Sequence, residues 1–179
     1  HQPSSLLSTI ISRCLKINLS NHNYDNFSKI IAISNPDMDE ETKKFLYDIT
    51  NGSPGLINEY EFDEILNIFE RLINLIVDKD PFSEKNNDTI KFLSSFDNER
   101  LKIFISIIKF ILITINKIKL GINITENYLS KSILKIDTIS DKISIDYIQR
   151  KLDYLINNEN DLFTFNLDKK IFMINFISE

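Results

Sequence analysis

Apolar residues recur every three or four positions through most of the chain beyond residue 60, which is the spacing of one face of an α-helix. The stretch "FDEILNIFERLINLIVDKD" places such residues on a single face: Phe62, Ile65, Leu66, Phe69, Leu72, Ile73 and Ile76. With three glycines and four prolines among 179 residues, few positions would break helices of this kind. The sequence therefore predicts an all-α fold.

The most apolar segment is "NERLKIFISIIKFILITINKIKLG", which ends at Gly121. Its apolar part, 101–118, is about 18 residues long, close to the minimum for a helix that spans a bilayer. Three lysines interrupt it, at positions 102, 109 and 117. A lysine at the bilayer centre costs roughly 3 kcal/mol on insertion scales. We therefore expect the central helix of a bundle and no association with a membrane.

Shorter patterns predict the other helices of this part of the chain. Amphipathic segments lie at 88–96, 125–136 and 141–158, and "FNLDKKIFMINFISE" is typical of a last helix. The polar stretch 82–89 predicts a loop.

Residues 20–60 are predicted to form a separate unit of three short helices. The first has one apolar face, made by Tyr24, Phe27, Ile30 and Ile31. In the second, Asp37 and Glu40 have the spacing of a capping box. Before this unit, "CLKINL" alternates in polarity at 14–19, which predicts a short strand.

The segment "GSPG" can end one of these helices and begin the next. Gly52 can adopt the left-handed conformation that stops a helix. Ser53 can then act as the N-cap, with Pro54 as the first residue of the third helix and Gly55 after it. We assign these four residues a structural role.

The motifs that the chain lacks exclude several activities. It has no G-x-x-x-x-G-K-[ST] phosphate-binding loop, no G-x-G-x-x-G and no H-E-x-x-H. Two histidines and one cysteine cannot form a usual zinc site, and we interpret the acidic clusters at 37–41 and 59–64 as solvated helix starts. We therefore expect no metal and no cofactor. The net charge of −5 disfavours a main nucleic-acid surface, and a single cysteine without a signal peptide favours the cytoplasm.

Three segments carry a resemblance to a known family. "QPSSLLSTIISRCLKINL" resembles the P-x-x-L-L-x-T-I-x-S-R-C segment of bacterial clamp-loader AAA+ subunits, and "LYDITNGSPGLINE" resembles the segment that opens the third lid helix in the delta prime subunits of DNA polymerase III. The terminal "FNLDKKIFMINFI" is similar to the last helix of many delta prime subunits.

The resemblance covers essentially the whole chain and implies three parts. Residues 1–19 would be the carboxyl-terminal tail of the AAA+ core, 20–60 a three-helix lid domain, and 61–179 a helical collar that mediates oligomerisation. The chain would then be a fragment that lacks most of the ATPase-like domain, and His1 would follow shortly after the sensor-1 position.

The resemblance also implies a function without catalysis by this fragment alone. A delta prime subunit would act within the DNA polymerase III holoenzyme, a DNA-directed DNA polymerase, by helping to load the sliding clamp onto primed DNA. Its partners would be the gamma/tau and delta subunits, bound through the collar. Arg13 would be an arginine finger for ATP held by the neighbouring gamma/tau subunit, flanked and positioned by Ser12 and Cys14, and we expect Cys14 to be packed. A forked, permanently charged guanidinium suits the charge that develops in phosphoryl transfer.

Three positions depart from the family pattern, and one other class of protein fits the chain. Ser8 and Ile11 stand where proline and arginine are common, and Leu56 stands where an arginine often follows "GSPG", which weakens any role of this lid in sensing nucleotide. The alternative is a Bcl-2-like helical interaction module, which would also have a central apolar helix and no enzymatic motif. For Arg13 alone, the alternative is a surface arginine in an ordinary salt bridge.

Overall fold

The computed structural model describes residues 9, 12–15, 20–57, 62–122, 130–165 and 167–178, and these contain eight α-helices with described bounds and no β-strand. The helices are α1 Tyr24–Ser34, α2 Glu40–Thr50, α3 Phe62–Val77, α4 Glu84–Ser94, α5 Asn98–Lys119, α6 Ser130–Ser140, α7 Ile145–Thr164 and α8 Lys169–Ser178. One 3-10 turn, Pro54–Leu56, follows α2. The all-α prediction is confirmed.

Helix α5 lies at the centre of the fold, in contact with α2, α3, α6 and α7. It begins after Asp97, whose carboxylate accepts a hydrogen bond from the Arg100 amide at 2.8 Å, and Gly121 follows its end with a φ of +71°. Its apolar side chains are buried on several sides because neighbouring helices cover them. The predicted central helix is therefore confirmed, and none of the described helices has the length and apolar character needed to cross a membrane.

Helix α3 buries a wider surface than its sequence pattern predicts. Five of the seven residues assigned to its apolar face are buried, whereas Phe62 and Leu66 are half-buried. Ile68 and Leu75, which were not assigned to that face, are also buried. The cause is that α3 contacts α4, α5 and α6, so that its apolar stripe meets neighbours in more than one direction.

The predicted lid and collar residues share one hydrophobic core. Phe45 of α2 packs its ring edge-on against Phe69 of α3 and Phe110 of α5, with centroid distances of 5.4 and 5.7 Å. Offset edge-to-face pairs of this kind add roughly 0.5–1.5 kcal/mol each to the free energy of area burial. The boundary near residue 60 stays a prediction, since 58–61 lie outside the described residues.

The predicted loop at 82–89 is wrong, because helix α4 begins at Glu84. The Ser83 hydroxyl accepts a hydrogen bond from the Asn86 amide at 3.3 Å and caps the helix. The buried Asn86 side chain donates to the carbonyl oxygens of Asp78 and Asp80 at 2.5 and 2.8 Å. Polar residues that suggested a loop therefore form the helix start and hold the preceding connection against it.

Other boundaries also differ from those predicted. Asp39, not Asp37, caps α2, because its carboxylate accepts from both the amide and the hydroxyl of Thr42, at 2.8 and 2.7 Å. Helix α7 begins at Ile145, after Ser144 accepts from the Tyr147 amide, and extends to Thr164. Helix α6 is described over Ser130–Ser140, and the first five residues of the predicted 125–136 segment, 125–129, lie outside the described residues.

Candidate functional site

The Ser-Arg-Cys segment forms an exposed turn. Ser12 and Arg13 lie in the turn and Cys14 in the bend that follows. The Ser12 hydroxyl donates to the carbonyl oxygen of Thr9 at 3.2 Å, which closes the turn locally. Of the predicted strand at 14–19, only Cys14 and Leu15 are described, and neither lies in a strand.

Arg13 is exposed and has no ion-pair partner among the residues that the structure describes. The described contacts therefore do not include the ordinary salt bridge that was the alternative for this residue. A guanidinium on an exposed turn keeps its five N–H donors available to an anionic group on another molecule.

Cys14 is exposed with a free thiol, so the prediction that it packs into the protein is wrong. Its neighbour Leu15 is also 88% exposed. The described residues provide no apolar pocket for either side chain, because the turn lies at the surface. Cys14 thus flanks Arg13 without anchoring it.

The Gly-Ser-Pro-Gly segment begins at the second of two consecutive residues in left-handed conformations. Asn51 has a φ of 50° and Gly52 a φ of 75°. The Gly52 amide donates to the Tyr47 carbonyl oxygen at 2.9 Å, which closes α2. The predicted helix stop at Gly52 is confirmed, although the reversal starts one residue earlier.

Gly52 also contacts the segment that precedes α1. Its carbonyl oxygen accepts a hydrogen bond from the His22 amide at 3.1 Å. A Cβ added at Gly52 would lie 2.4 Å from the His22 carbonyl oxygen and 3.0 Å from a ring carbon of Tyr47. Only a glycine fits here, because both the backbone conformation and the close approach exclude a side chain.

The remaining residues of this segment form a shorter element than predicted. Pro54 begins a single 3-10 turn in place of a third lid helix, and Ser53 makes no capping hydrogen bond through its side chain. A Cβ added at Gly55 would have no neighbour within 4 Å. The described contacts thus connect Gly52 to His22 and do not bring 52–55 together with Arg13.

Helices α1 and α2 are joined at their first turns by a polar cluster. The Tyr24 hydroxyl donates to a Glu40 carboxylate oxygen at 2.8 Å, and the Lys43 ammonium donates to the other oxygen at 2.9 Å. Burial, with the hydrogen bond to Glu40 second, raises the pKa of Tyr24 to about 12. The Lys43 and Tyr24 donors lower the pKa of Glu40. The cluster holds the two helices together.

A groove that the sequence analysis did not identify lies between the end of α2 and the middle of α5. Its volume is about 480 Å³. Ile49 contributes from α2, and Phe110 and Ile113 contribute from α5. Helical spacing predicted that α5 would be apolar, but which of its side chains stay uncovered depends on where α2 crosses it.

Four polar side chains of α5 also line this groove: Ser106, Lys109, Thr114 and Lys117. Lys109 pairs with Glu159 of α7. Lys117 is exposed and has no ion-pair partner within the described part of the chain. On the α2 side, the groove is lined by Asp48, which has an interaction partner of its own. The groove therefore combines an apolar floor with an unpaired positive charge at one end.

The described residues contain no group of three histidine, cysteine, aspartate or glutamate side chains placed to hold a metal ion. The described residues define an all-α fold with an exposed Ser-Arg-Cys turn. At the end of α2, Gly52 packs against the segment before α1. Comparison with protein-family models, with curated proteins and with solved structures finds no match for the chain.

Proposed function

We propose that this chain contains the tail of the AAA+ core, the lid and the collar of a delta prime-like clamp-loader subunit, which helps to load the sliding clamp onto primed DNA. The observation that carries the proposal is the exposed Arg13 in "LLSTIISRC", which has no ion-pair partner in the described residues. The "GSPG" segment, which begins 39 residues after Arg13, and the helical region beyond it support the same assignment through their order in the sequence.

Arg13 acts in trans under this proposal. Its guanidinium reaches ATP bound by the neighbouring gamma/tau subunit and neutralises charge that develops on the transferring phosphoryl group. Arginine fingers supplied across an interface are worth on the order of 10³ or more in rate in well-studied nucleotide hydrolases. No hydrolysis is expected of this chain alone under the proposal, because the neighbouring subunit would hold the phosphate-binding loop.

The first test is assembly. The full-length protein, mixed with gamma/tau and delta subunits, is expected to elute with them as one complex in size-exclusion chromatography. Absence of a complex at micromolar concentration would reject the assignment and leave the helical interaction module as the better interpretation.

The second test separates the arginine finger from assembly. In the reconstituted complex, Arg13→Ala is expected to lower DNA-stimulated ATP hydrolysis at the site it contacts by roughly tenfold or more. Arg13→Lys should recover little, because an ammonium lacks the fork. The matched control is Arg150→Ala, which removes an exposed arginine from α7. Equal turnover in the Arg13 and Arg150 variants would remove Arg13 from the mechanism.

A further inference from the structure

We propose that the groove between α2 and α5 binds a segment of a partner protein that presents carboxylates beside apolar side chains. This inference does not depend on the proposed function. It rests on three properties of the described residues: an uncovered apolar floor, a nearly buried hydroxyl without a partner, and an unpaired ammonium.

The apolar floor includes an exposed residue, whereas the other apolar side chains of α5 are buried or half-buried. Ile113 is 45% exposed, although the residues on either side of it, Leu112 and Thr114, are 0% and 4% exposed. Phe110 is half-buried and Ile49 closes the floor from α2. Covering a surface of this kind is favourable by about 25 cal/mol for each Å² of apolar area.

The second property is the Thr114 hydroxyl. Thr114 is 96% buried, which follows from its 4% exposure, yet it has no hydrogen bond to any described residue. Every described side-chain nitrogen or oxygen that is closed off from solvent does have a partner. The hydroxyl must therefore open into the groove that Thr114 lines. The accessible hydroxyl can exchange water for a carboxylate acceptor that a ligand brings into the groove.

The third property is the balance of charge, which selects an acidic occupant. Lys109 is neutralised by Glu159, and Asp48 already has a partner. Lys117 is thus the charge in the groove that the described residues leave unpaired. Because hydroxyl and ammonium groups both donate to carboxylates, an acidic segment complements this wall and a basic one is repelled.

The length of the groove sets the size of the occupant. Ser106 and Lys117 line its two ends on α5, and eleven residues of helix span roughly 16 Å. This distance equals about three turns of a second helix or about five residues of extended chain. A short peptide is therefore long enough to test the site.

The experiment is a titration of the full ¹⁵N-labelled chain with two synthetic peptides about twelve residues long, capped at both ends. One repeats Leu-Leu-Glu and the other Leu-Leu-Lys. The acidic peptide is expected to shift the amide signals of Ser106, Ile113, Thr114 and Lys117, and the basic peptide to leave them unchanged. Equal shifts with both peptides, or no shift at millimolar concentration, would overturn the proposal.

Three variants locate the site. Lys117→Glu should weaken binding of the acidic peptide by at least about tenfold, because it reverses the charge that selects it. Lys119→Glu makes the same change in the same turn outside the groove and should weaken binding less than about twofold. Thr114→Val keeps the shape and removes the hydroxyl, and should weaken binding by about threefold. Equal losses in the two lysine variants would show attraction by net charge alone and contradict the proposal.

A second copy of this chain is the competing occupant. Signals of the groove residues that move with protein concentration, in the absence of peptide, would assign the groove to self-association and overturn the proposal. Constant signals over a tenfold dilution, together with saturable shifts by the acidic peptide, would support it.

Discussion

The His22 amide donates a hydrogen bond to the carbonyl oxygen of Gly52, with 3.1 Å between nitrogen and oxygen. The segment that leads into α1 is thereby held against the end of α2, although the two residues are 30 positions apart. The contact leaves no room for a side chain at position 52, since a Cβ there would lie 2.4 Å from the His22 carbonyl oxygen.

The first prediction concerns the three glycines. We expect Gly52→Ala to lower the free energy of unfolding by more than the roughly 1–2 kcal/mol of left-handed strain, because the Cβ also displaces His22. Gly121 has a φ of +71° and no close neighbour, so Gly121→Ala measures the strain alone. Gly55→Ala, with neither strain nor contact, should be close to neutral. Urea unfolding measures the loss of unfolding free energy in each of the three variants. A loss at Gly52 no larger than that at Gly121 would contradict the close approach.

The second prediction concerns acid stability and the cap of α2. The amide and hydroxyl of Thr42 donate to the Asp39 carboxylate and lower its pKa below the ordinary value of 3.8. Asp39 therefore stabilises the folded state above that value, and the contribution is lost as the pH falls through the lower, folded pKa. Asp39→Ala should cost about 1 kcal/mol at pH 7, and its difference from wild type should shrink below about pH 4.

The control for this prediction is Asp37→Ala. The Asp37 carboxylate has no hydrogen-bond partner within the described residues, and its removal should change the free energy of unfolding by less than about 0.5 kcal/mol. Chemical unfolding between pH 2 and 7 measures both variants. If Asp37→Ala lowered the free energy of unfolding more than Asp39→Ala, Asp37 would be the N-cap, as the sequence spacing predicted.

The third prediction concerns Asn86, which is 1% exposed and bonds two carbonyl oxygens of the α3–α4 connection. Asn86→Ala leaves those oxygens without their donor, and we expect a loss of about 1–3 kcal/mol. The next residue offers a control: Asn87→Ala removes the same amide from a half-buried position whose side chain bonds no described residue. Thermal and urea unfolding should separate the two. Similar losses would mean that helix propensity, not the buried amide, causes the effect.

The fourth prediction concerns Lys151, whose side chain is fully buried between α7 and the end of α8. Its ammonium donates to the carbonyl oxygens of Phe176 and Ile177, the latter at 2.9 Å, and lies 4.6 Å from the ring centroid of Tyr147. These carbonyls belong to the last turn of a helix, where no intrahelical donor is left for them. Lys151→Met should lower the free energy of unfolding by about 1–3 kcal/mol and accelerate amide exchange in α8.

Lys170→Met is the matched control, because Lys170 is on the same final helix and exposed. It should change neither quantity appreciably. Equal stability of Lys151→Met and the wild type would contradict the prediction. It would mean that the cost of desolvating the ammonium cancels the gain from its hydrogen bonds, as it does for some other buried charges.

The sequence predicted helices well where apolar spacing was long and regular. The pattern at 62–76 predicted α3, and the apolar segment ending at Gly121 predicted α5 as the central helix. It failed at 82–89, because asparagine and serine favour loops on average, whereas here Ser83 and Asn86 each have a specific partner in three dimensions. The prediction of the α2 cap was wrong for a related reason. Two aspartates precede the helix, and only the fold decides which of them accepts the hydrogen bond from Thr42.

For the candidate site, the sequence supplied residue types and order. It placed Arg13 in a recognisable pattern and Gly52 at a helix end, but it gave no indication that Gly52 contacts His22 or that Cys14 is exposed. The groove along α5 could not be predicted from the sequence either. Thr114 and Lys117 line a groove only because α2 lies across this part of α5.

The sequence by itself therefore determined the all-α class, the central position of α5 and the helix stop at Gly52, since these follow from apolar spacing and from backbone freedom within a few residues. Only the tertiary structure decided which polar groups are satisfied. Asn86 and Lys151 found carbonyl partners across the fold, whereas Thr114 and Lys117 were left facing a groove. The physical reason is that apolar burial depends on local periodicity, whereas a hydrogen bond requires two particular atoms, often far apart in the chain, to meet within about 3 Å.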